Sequence, residues 1–495
     1  MKQQETRNNN QTMFNVQCSM FKRFVSCILY LGYSRRKSRG MYLPVILLAS
    51  VVFMAFATAI ISLALSNLKM ATLHNKRITS MSIAEAGVNY YLWHLAHSNT
   101  DYCDGGVCPI PLADGSYGPF THQSTDVSGN VLGSYDLFIT PPGAGNSITT
   151  VKSIGKVLGT NTTRTVITTI GMPSFTKYTL LANNSELWLG SGEKVNGSIF
   201  VNHNGVRNDG EITKDVSSTE ATYTSGMFGG SHPGIWGVGT FGGSKLLPVP
   251  PIDFNQLSVD MLTIRNKARD NHEGDYYDTA GSGFVGYHLI LKTSNYEIRK
   301  VRQYNNSWFD ITQEDSGITY NYPAAGVIFF EDNVWVEGTI NNQKITIIAA
   351  DPEANNSQKK KIIIPNIIKY TNYDGKDKIG LLTQTDITVS HNAPTDMEID
   401  AAMIAQNGFI SICPGILRPP YNACSTHPQG YVRHKIKVYG SMAHNTGLVW
   451  TIDWGGGNLS GYSQTETVID QQNVLNPPPM FPLTGAYAIL SWREE

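Results

Sequence analysis

The longest uninterrupted apolar segment of the chain runs from Met41 to Ser66 and contains no charged residue. As a helix, these 26 residues would extend for about 39 Å, and the hydrocarbon core of a bilayer is about 30 Å thick. Beyond Ser66, apolar residues recur at helical spacing as far as Leu95. The pattern therefore predicts one long helix over residues 41–98, which crosses a membrane once and continues outside it.

Basic residues lie on one side of this apolar segment. Residues 35–40 contain four of them, whereas Lys69 alone lies just beyond the segment. Because positively charged residues flank membrane helices on the cytoplasmic side, we predict a cytoplasmic N-terminus and an extracytoplasmic C-terminal domain. Residues 1–40 are interpreted as a basic leader that takes no part in the fold.

Alternating polar and apolar positions follow the predicted helix. Residues 133–140 alternate as a half-buried strand does, and residues 151–157 and 164–170 have the pattern of a hairpin joined at Gly159-Thr160-Asn161. A small, strand-rich sheet is therefore predicted over residues 99–172.

From residue 173 onward the apolar segments are short and separated by Gly and Asn. In a β-solenoid, inward aliphatic side chains stack from coil to coil and Gly permits the tight bends. We therefore predict a β-solenoid over residues 173–495, with a β-sandwich as the alternative. The pattern aliphatic-x-Gly-Ser/Thr-aliphatic occurs at 195–199, 336–340 and 438–442, and further candidate strands are 325–330, 345–349, 362–364, 379–389 and 399–412.

The predicted fold class is mainly β, with a long N-terminal transmembrane α-helix, a small β-sheet and a β-solenoid domain. A helical and loop insertion is expected at about 252–320. Within it, Leu257, Met261, Leu262 and Ile264 recur at helical spacing, and basic residues follow them. We interpret this helix as a solvated cap over one end or side of the solenoid, with an anionic partner as the alternative.

Composition and cysteine spacing restrict the class of protein. Only 16% of the residues are charged and the net charge is -1, so no nucleic-acid partner is expected. Beyond the leader, the cysteines form two close pairs, Cys103 with Cys108 and Cys413 with Cys424, which we interpret as disulfides made in an oxidising compartment. A zinc site is the alternative, although neither pair has the two-residue spacing of structural zinc sites.

The residues that could carry chemistry are scattered. No nucleophile elbow, phosphate-binding Gly loop or HExxH motif is present, so no catalytic, cofactor or metal site is predicted. Acidic residues on a solenoid face could act as a glycoside-cleaving pair, but at strand ends they usually form turns. The acidic residues considered for that role are Glu331, Asp332, Asp386, Asp396 and Asp400. Asp374 and Asp377 supply two carboxylates for calcium but lack the EF-loop pattern. The histidines His203, His391 and His444 are interpreted as strand or loop residues and not as metal ligands. The aromatic residues Tyr276, Tyr277, Tyr304 and Trp308 are a candidate glycan- or surface-binding patch, with core packing as the default interpretation of each one.

The N-terminal region resembles that of type IV pilin-like proteins, specifically the PilX-type minor pilins. The resemblance depends on the Gly40–Met41 junction, on Pro44 just inside the apolar segment, and on Ala84-Glu85-Ala86-Gly87 where the helix leaves the membrane. It implies cleavage by prepilin peptidase between Gly40 and Met41, and a small sheet packed on the outer part of the helix. Pilins usually carry a glutamate at the position of Val45, and its absence is typical of a tip or minor subunit.

The resemblance also implies the function. We expect a non-enzymatic minor pilin or pseudopilin-like component of a type IV pilus or related fibre, whose β-helical head serves adhesion or capping. Its expected partners are other pilins, prepilin peptidase, the membrane, and a surface glycan or another cell surface. The alternatives are a membrane-anchored carbohydrate-active β-helix enzyme and a plain single-pass surface protein.

Overall fold

The structure is a computed structural model that describes residues 42–98, 101–142, 148–254, 256–306, 308–353, 359–412, 432–453, 459–484 and 487–495. The chain divides into two compact units, Met1–Ile78 and Thr79–Glu495.

Helix α1 (Tyr42–His97) is continuous over 56 residues, which confirms the predicted long helix. Pro44 lies in its first turn, where its missing N–H breaks no helical hydrogen bond. In the first unit, the large apolar side chains are exposed on all sides, from Leu43 at 71% to Ile78 at 53%. This segment is long and apolar enough to cross a membrane.

In the second unit, the last turns of α1 pack against an antiparallel sheet, as the resemblance implies. Ala84, Tyr91 and Leu95 of the helix are fully buried among aliphatic residues of the sheet. A Cβ added at Gly87 would lie 2.4 Å from Ser153 Oγ, so this glycine lets the helix approach the sheet closely. The strands are β1 (Tyr117–Thr125), β2 (Val131–Thr140), β3 (Thr149–Val157) and β4 (Thr163–Gly171), each paired with the next.

A parallel β-helix follows, which we describe as three sheets, A, B and C, and which confirms the predicted solenoid. Two segments of the chain build it. The first contains β5 (Leu180–Ala182), β6 (Leu187–Leu189), β7 (Glu193–Asn196), β8 (Ile199–Val201), β9 (Val206–Asn208), β10 (Glu211–Ile212), β11 (Val216–Ser218), β12 (Thr222–Thr224), β13 (Ser231–Pro233), β14 (Ile235–Trp236), β15 (Thr240–Phe241) and β16 (Lys245–Leu246). The second contains β17 (Asp275–Tyr277), β18 (Gly286–Leu291), β19 (Asn295–Tyr304), β20 (Ile311–Glu314), β21 (Ile318–Asn321), β22 (Val327–Phe330), β23 (Val334–Ile340), β24 (Lys344–Ala349), β25 (Ile362–Ile364), β26 (Ile368–Tyr370), β27 (Lys378–Thr383), β28 (Ile387–Val389), β29 (Asp396–Ala405), β30 (Phe409–Ser411), β31 (Val432–His444), β32 (Gly447–Val449), β33 (Thr451–Asp453) and β34 (Leu459–Val468).

Each coil passes through the sheets in the order A, B, C. Strands β24, β25 and β26 form one such coil, and β27 returns to sheet A, where it pairs in parallel with β24. Strand β23 turns a corner, because its first residues pair with β25 in sheet B and its last residues pair with β26 in sheet C. The predicted strand at 379–389 is likewise divided between sheets A and B, and that at 399–412 is divided among all three sheets.

The order of the coils along the β-helix differs from their order in the sequence. The first segment begins in the middle of the stack and winds to one end at β16, whereas the second begins at the opposite end with β17 and winds back to the middle. There the two segments pair, Leu180 with Met442 and Val195 with Thr467. Helix α2 (Gln256–Asp270) connects the two ends.

Aliphatic ladders fill the interior of the β-helix. In sheet A, one inward position is occupied by large apolar side chains in coil after coil, all of them at most 1% exposed. Because both segments contribute, the ladder joins them into one core. Its members in stacking order are Ile328, Ile347, Leu381, Met403, Met442, Leu180, Ile199 and Val216.

Helix α2 covers the outer surface of sheet A. Its Met261, Ile264 and Ala268 are buried against outward apolar residues such as Phe329 and Leu382. The predicted cap therefore lies along the side of the β-helix, with an apolar face against the sheet.

The predicted insertion at 252–320 is too long. Strands β17 and β18 lie inside that range, yet they pair in parallel with β22 and β23 and belong to the stack. Among the described residues of this range, the elements added to the coils are α2 and the antiparallel strands β19, β20 and β21. The Tyr- and Gly-rich composition of residues 274–291 concealed strands β17 and β18, because Tyr277 and Tyr287 line the end coil of the stack beside the aliphatic Leu289 and Leu291.

The three copies of the Gly pattern share close packing between coils, but not one register. A Cβ added at Gly197, Gly338 or Gly440 would lie within 2.1 Å of an atom of the adjacent coil. Val195 and Val438 both pair with Thr467, so Gly197 and Gly440, each two residues further on, occupy equivalent positions in their coils. Gly338 aligns instead with Val438, which lies two residues before Gly440. Two copies of the pattern therefore occupy equivalent positions in the β-helix, whereas the third is displaced by two residues.

The end of the chain corrects the predicted boundary of 173–495 for the solenoid. After α3 (Gln471–Leu475), the chain leaves the β-helix beside the point where it entered, and Thr484 N–H donates to Pro173 O at 2.8 Å. Strand β35 (Ala488–Glu494) then pairs with β4 and becomes the fifth strand of the small sheet. The solenoid prediction missed this strand because its partner lies more than three hundred residues earlier in the sequence.

Candidate functional site

A disulfide loop lies beside the end of α1. Cys103 and Cys108 form a disulfide with their Cα atoms 4.9 Å apart. Two aspartates of this loop hold it in place: Asp101 Oδ2 lies 3.2 Å from His94 Nε2, and Asp104 Oδ2 lies 2.6 Å from His122 Nε2. The loop therefore joins the helix to strand β1.

Four of the predicted site residues lie outside the described residues. These are Gly40 and Met41 at the predicted cleavage point, and Cys413 and Cys424 of the second predicted disulfide. They stay predictions.

The acidic residues named from the sequence contact different groups. Glu331 Oε1 accepts a hydrogen bond from Arg265 of α2, whereas Asp332 Oδ2 accepts one from the Ala280 N–H. Asp386 and Asp396 contact Phe409 N and His434 Nδ1, and Asp377 binds backbone N–H groups near Thr371. Within the described ranges, no group of three or more His, Cys, Asp or Glu is placed to hold a metal ion.

Asp400 is the fully buried member of this acidic set. Its Oδ2 accepts hydrogen bonds from Tyr370 N at 2.9 Å and Tyr373 Oη at 2.8 Å. Its Oδ1 has no hydrogen-bond partner in the described part of the chain. Burial raises the pKa of Asp400 to about 6, and Glu398 adds to the rise while Lys437 opposes it. This carboxylate is therefore a destabilising feature at neutral pH.

The aromatic residues named from the sequence do not form one patch. Tyr276 stacks on Phe329 at the outer side of sheet A, whereas Tyr277 stacks on Phe330 at the end of the core. Tyr304 packs on Trp335, and Trp308 contacts His391. These four residues therefore do not form the candidate patch, and each of them packs against another ring, which agrees with the default interpretation. Of the other named histidines, His203 lies beside a cleft lined by Pro251 and Phe254, and His444 is fully buried in the core.

A different aromatic cluster lies on the outer surface of sheet B. Trp188, Arg207 and Trp236 point outward from three adjacent strands, β6, β9 and β14, and lie side by side in register. Phe228 and His232, from the loop that contains β12 and β13, cover this row. We call these five residues the Arg207 cluster. It brings a cation, two indole rings and two further rings onto one exposed surface.

The guanidinium group of Arg207 is held in place by its neighbours. Its Cζ lies 4.1 Å from the ring centre of Phe228 and 4.9 Å from that of Trp236, as in cation–π contacts. Its Nε donates to Asp209 Oδ2 at 2.7 Å, and Trp188 Nε1 donates to the same oxygen at 3.2 Å. Asp209 therefore orients the exposed Trp188 and the half-buried Arg207.

A second carboxylate supports the other side of the cluster. Glu186 accepts hydrogen bonds from Tyr223 Oη at 2.6 Å and from Ser225 Oγ at 2.9 Å. Tyr223 Oη in turn accepts a hydrogen bond from Trp236 Nε1 at 3.0 Å. The sequence did contain a signal for this cluster, since Leu187-Trp188-Leu189 places one large aromatic residue between two inward leucines.

The architecture defines a mainly β protein with a helix-packed sheet and a parallel β-helix, and the described residues contain one candidate membrane helix. No protein-family description matches the sequence, and no curated protein shows significant similarity to it. Among solved structures, the chain is similar to the competence-associated pilin ComZ from Thermus thermophilus, with 11% identity over 85% of this chain and 97% of that one. The TM-score is 0.30, which is too low to establish a common fold.

Proposed function

We propose that this chain is a minor, pilin-like subunit of a type IV pilus or related surface fibre, and that it presents a β-helical head. The single observation that carries the proposal is helix α1. Its first part is apolar and exposed on all sides, and its last part is buried against a small antiparallel sheet. The proposed role is binding or capping, and not catalysis.

The exposed apolar helix supports membrane insertion and packing against other helices. Exposed apolar surface on this scale is unfavourable in water and marks a membrane or protein contact. Before assembly, a bilayer would surround the helix, and in a fibre the corresponding helices of other pilins would do so. The proposed orientation places the head outside the cell.

The position of Val45 supports a tip or initiating role. The pilin family usually has a glutamate there, which would pair with a neighbouring subunit. A carboxylate is costly in the membrane unless it is paired, so a subunit without that neighbour has reason to lack it. The size of the head also favours a tip position, because a β-helix built from residues 180–468 is difficult to repeat along a closely packed shaft.

The first test is processing at the predicted junction. N-terminal sequencing of protein from cells with a prepilin peptidase should give Met41 as the first residue. Gly40→Arg should leave the leader attached, whereas Ser38→Ala, two residues away, should be cleaved normally. A mature chain that retains residues 35–40 would reduce the protein to a simple signal anchor.

The second test is the position in the fibre. Immunogold labelling of sheared fibres should give one label at an end, and deletion of the gene should reduce fibre number. Labels spaced regularly along the shaft would contradict the tip position while leaving fibre membership intact.

A further inference from the structure

We propose that the Arg207 cluster is a binding site for a neutral carbohydrate. In this site a sugar ring lies on Trp188 and its hydroxyl groups accept hydrogen bonds from Arg207. The inference deepens the proposed function by naming the ligand class of the head, and it rests on that function only for the surface location.

Trp188 supplies the surface for the sugar ring. It is 40% exposed although its strand neighbours Leu187 and Leu189 are buried. Its N–H is fixed on Asp209, and its ring makes an edge contact with Phe228, with the ring centres 5.4 Å apart. The face of an aromatic ring carries negative charge density, which attracts the weakly positive C–H groups of a pyranose. Because the ring is already held in place, little conformational entropy is lost on binding.

Arg207 supplies directed donors beside that ring. Its Nε is occupied by Asp209, whereas its two terminal nitrogens donate no hydrogen bond within the described part of the chain. Phe228 and Trp236 hold the guanidinium plane in one orientation. A planar group with fixed N–H directions can bind two neighbouring hydroxyl oxygens together.

The surrounding charge favours a neutral ligand. The carboxylate of Asp209 pairs with Arg207 directly, and that of Glu186 is connected to Trp236 through Tyr223 Oη, so two carboxylates accompany the single cation of Arg207. A nucleic acid or an acidic polysaccharide would meet these two negative charges, and its binding would require a basic surface that the cluster does not have. Sugar hydroxyl groups suit this site, because they accept from the guanidinium group and donate to the carboxylates.

The test measures binding by the full chain in nanodiscs made without glycolipid, because detergents with sugar headgroups would compete. A panel of neutral oligosaccharides, acidic oligosaccharides and single-stranded DNA is applied to wild type and variants. Wild type should bind members of the neutral group, with tryptophan fluorescence changing on binding. Trp188→Ala should weaken that binding by about tenfold or more. Trp492→Ala is the matched control, since Trp492 is 47% exposed on β35 of the small sheet, and it should bind as wild type does.

Arg207→Lys gives a second test, which does not depend on removing an aromatic ring. This variant keeps the charge and loses the planar group, so the same neutral sugars should bind more weakly. Failure of wild type to bind any neutral sugar, unchanged binding by Trp188→Ala, or a preference for DNA or acidic sugars would each overturn the proposal. Because the assay uses purified protein outside a fibre, these outcomes are independent of cleavage at Gly40 and of fibre position.

Discussion

Replacing Asp400 by Asn should stabilise the protein at neutral pH. The carboxylate is fully buried, and burial raises its pKa to about 6, whereas an exposed aspartate has a pKa of about 3.9. Between these two values the folded chain retains a proton that the unfolded chain has lost. The contribution of Asp400 to stability is therefore fully present below about pH 4 and is lost as the pH rises through the pKa of the folded state.

The magnitude follows from that difference in pKa. One pKa unit corresponds to about 1.36 kcal/mol, so ionised Asp400 costs the fold about 3 kcal/mol at pH 7. In the variant, the amide oxygen can accept the same two hydrogen bonds from Tyr370 and Tyr373. A neutral oxygen accepts weaker hydrogen bonds than a carboxylate does, which leaves a gain of about 2 kcal/mol.

Thermal unfolding at several pH values is the assay. At pH 7 the variant should melt about 2 °C above wild type, and the difference should disappear near pH 4, where Asp400 is protonated. Asp396→Asn is the matched control on the same strand. Its side chain is 73% exposed and pairs with His434 at the surface, so the change should stay within about 0.5 kcal/mol.

Two results would refute this reasoning. If Asp400→Asn lowered the melting temperature at pH 7, the charge would be stabilising, through its hydrogen bonds or through Lys437. If the gain were the same at pH 4 and pH 7, it would not come from removing a charge.

Three further predictions concern other parts of the fold. Gly440→Val should destabilise the β-helix by about 3 kcal/mol or more, because φ is +149° and a Cβ would lie 2.0 Å from Ala401 O. Gly226→Val, where a Cβ meets nothing within 4 Å, should change the melting temperature little. Cys103→Ser should cost about 2 kcal/mol, and peptide mapping without reductant should recover Cys103 joined to Cys108; a free thiol at either position in exported protein would contradict this. Deletion of residues 488–494 should expose the edge of β4, detected as faster amide exchange there, and unchanged exchange would count against the pairing.

Most of the individual elements could be predicted because their signals are local. Helix α1 is one apolar segment followed by a helical repeat, and β3 and β4 form a hairpin across a short turn. Several strands of the second segment of the β-helix, among them β22, β24 and β25, were also recognisable, since each contains inward aliphatic residues.

The arrangement of those strands could not be predicted in the same way. Parallel coils pair through backbone hydrogen bonds, and an interior lined by Ile, Leu and Val accepts almost any coil beside any other. Nothing in the local sequence therefore indicates that Leu180 lies beside Met442. The pairing of β35 with β4 could not be predicted either. It depends on a free edge of β4, which no local sequence pattern indicates.

The candidate binding site was missed because its residues are single side chains on separate short strands. Trp188, Arg207 and Trp236 come together only when β6, β9 and β14 stack. Large side chains at the outward positions of short apolar strands indicate such a site. Which of these side chains become neighbours depends on the register between coils, and that register is set by coil lengths that vary along the chain.

The paired exit of the β-helix has a mechanical consequence. The chain enters the head after β4 and returns through β35, and these two strands are neighbours in one sheet. A head carried on one linker could swivel about that linker, whereas a head held by two adjacent strands resists twisting. A pull along these strands loads their row of hydrogen bonds together, in shear, so many bonds share the force before any one breaks. Such an attachment keeps a domain oriented when a force acts on it.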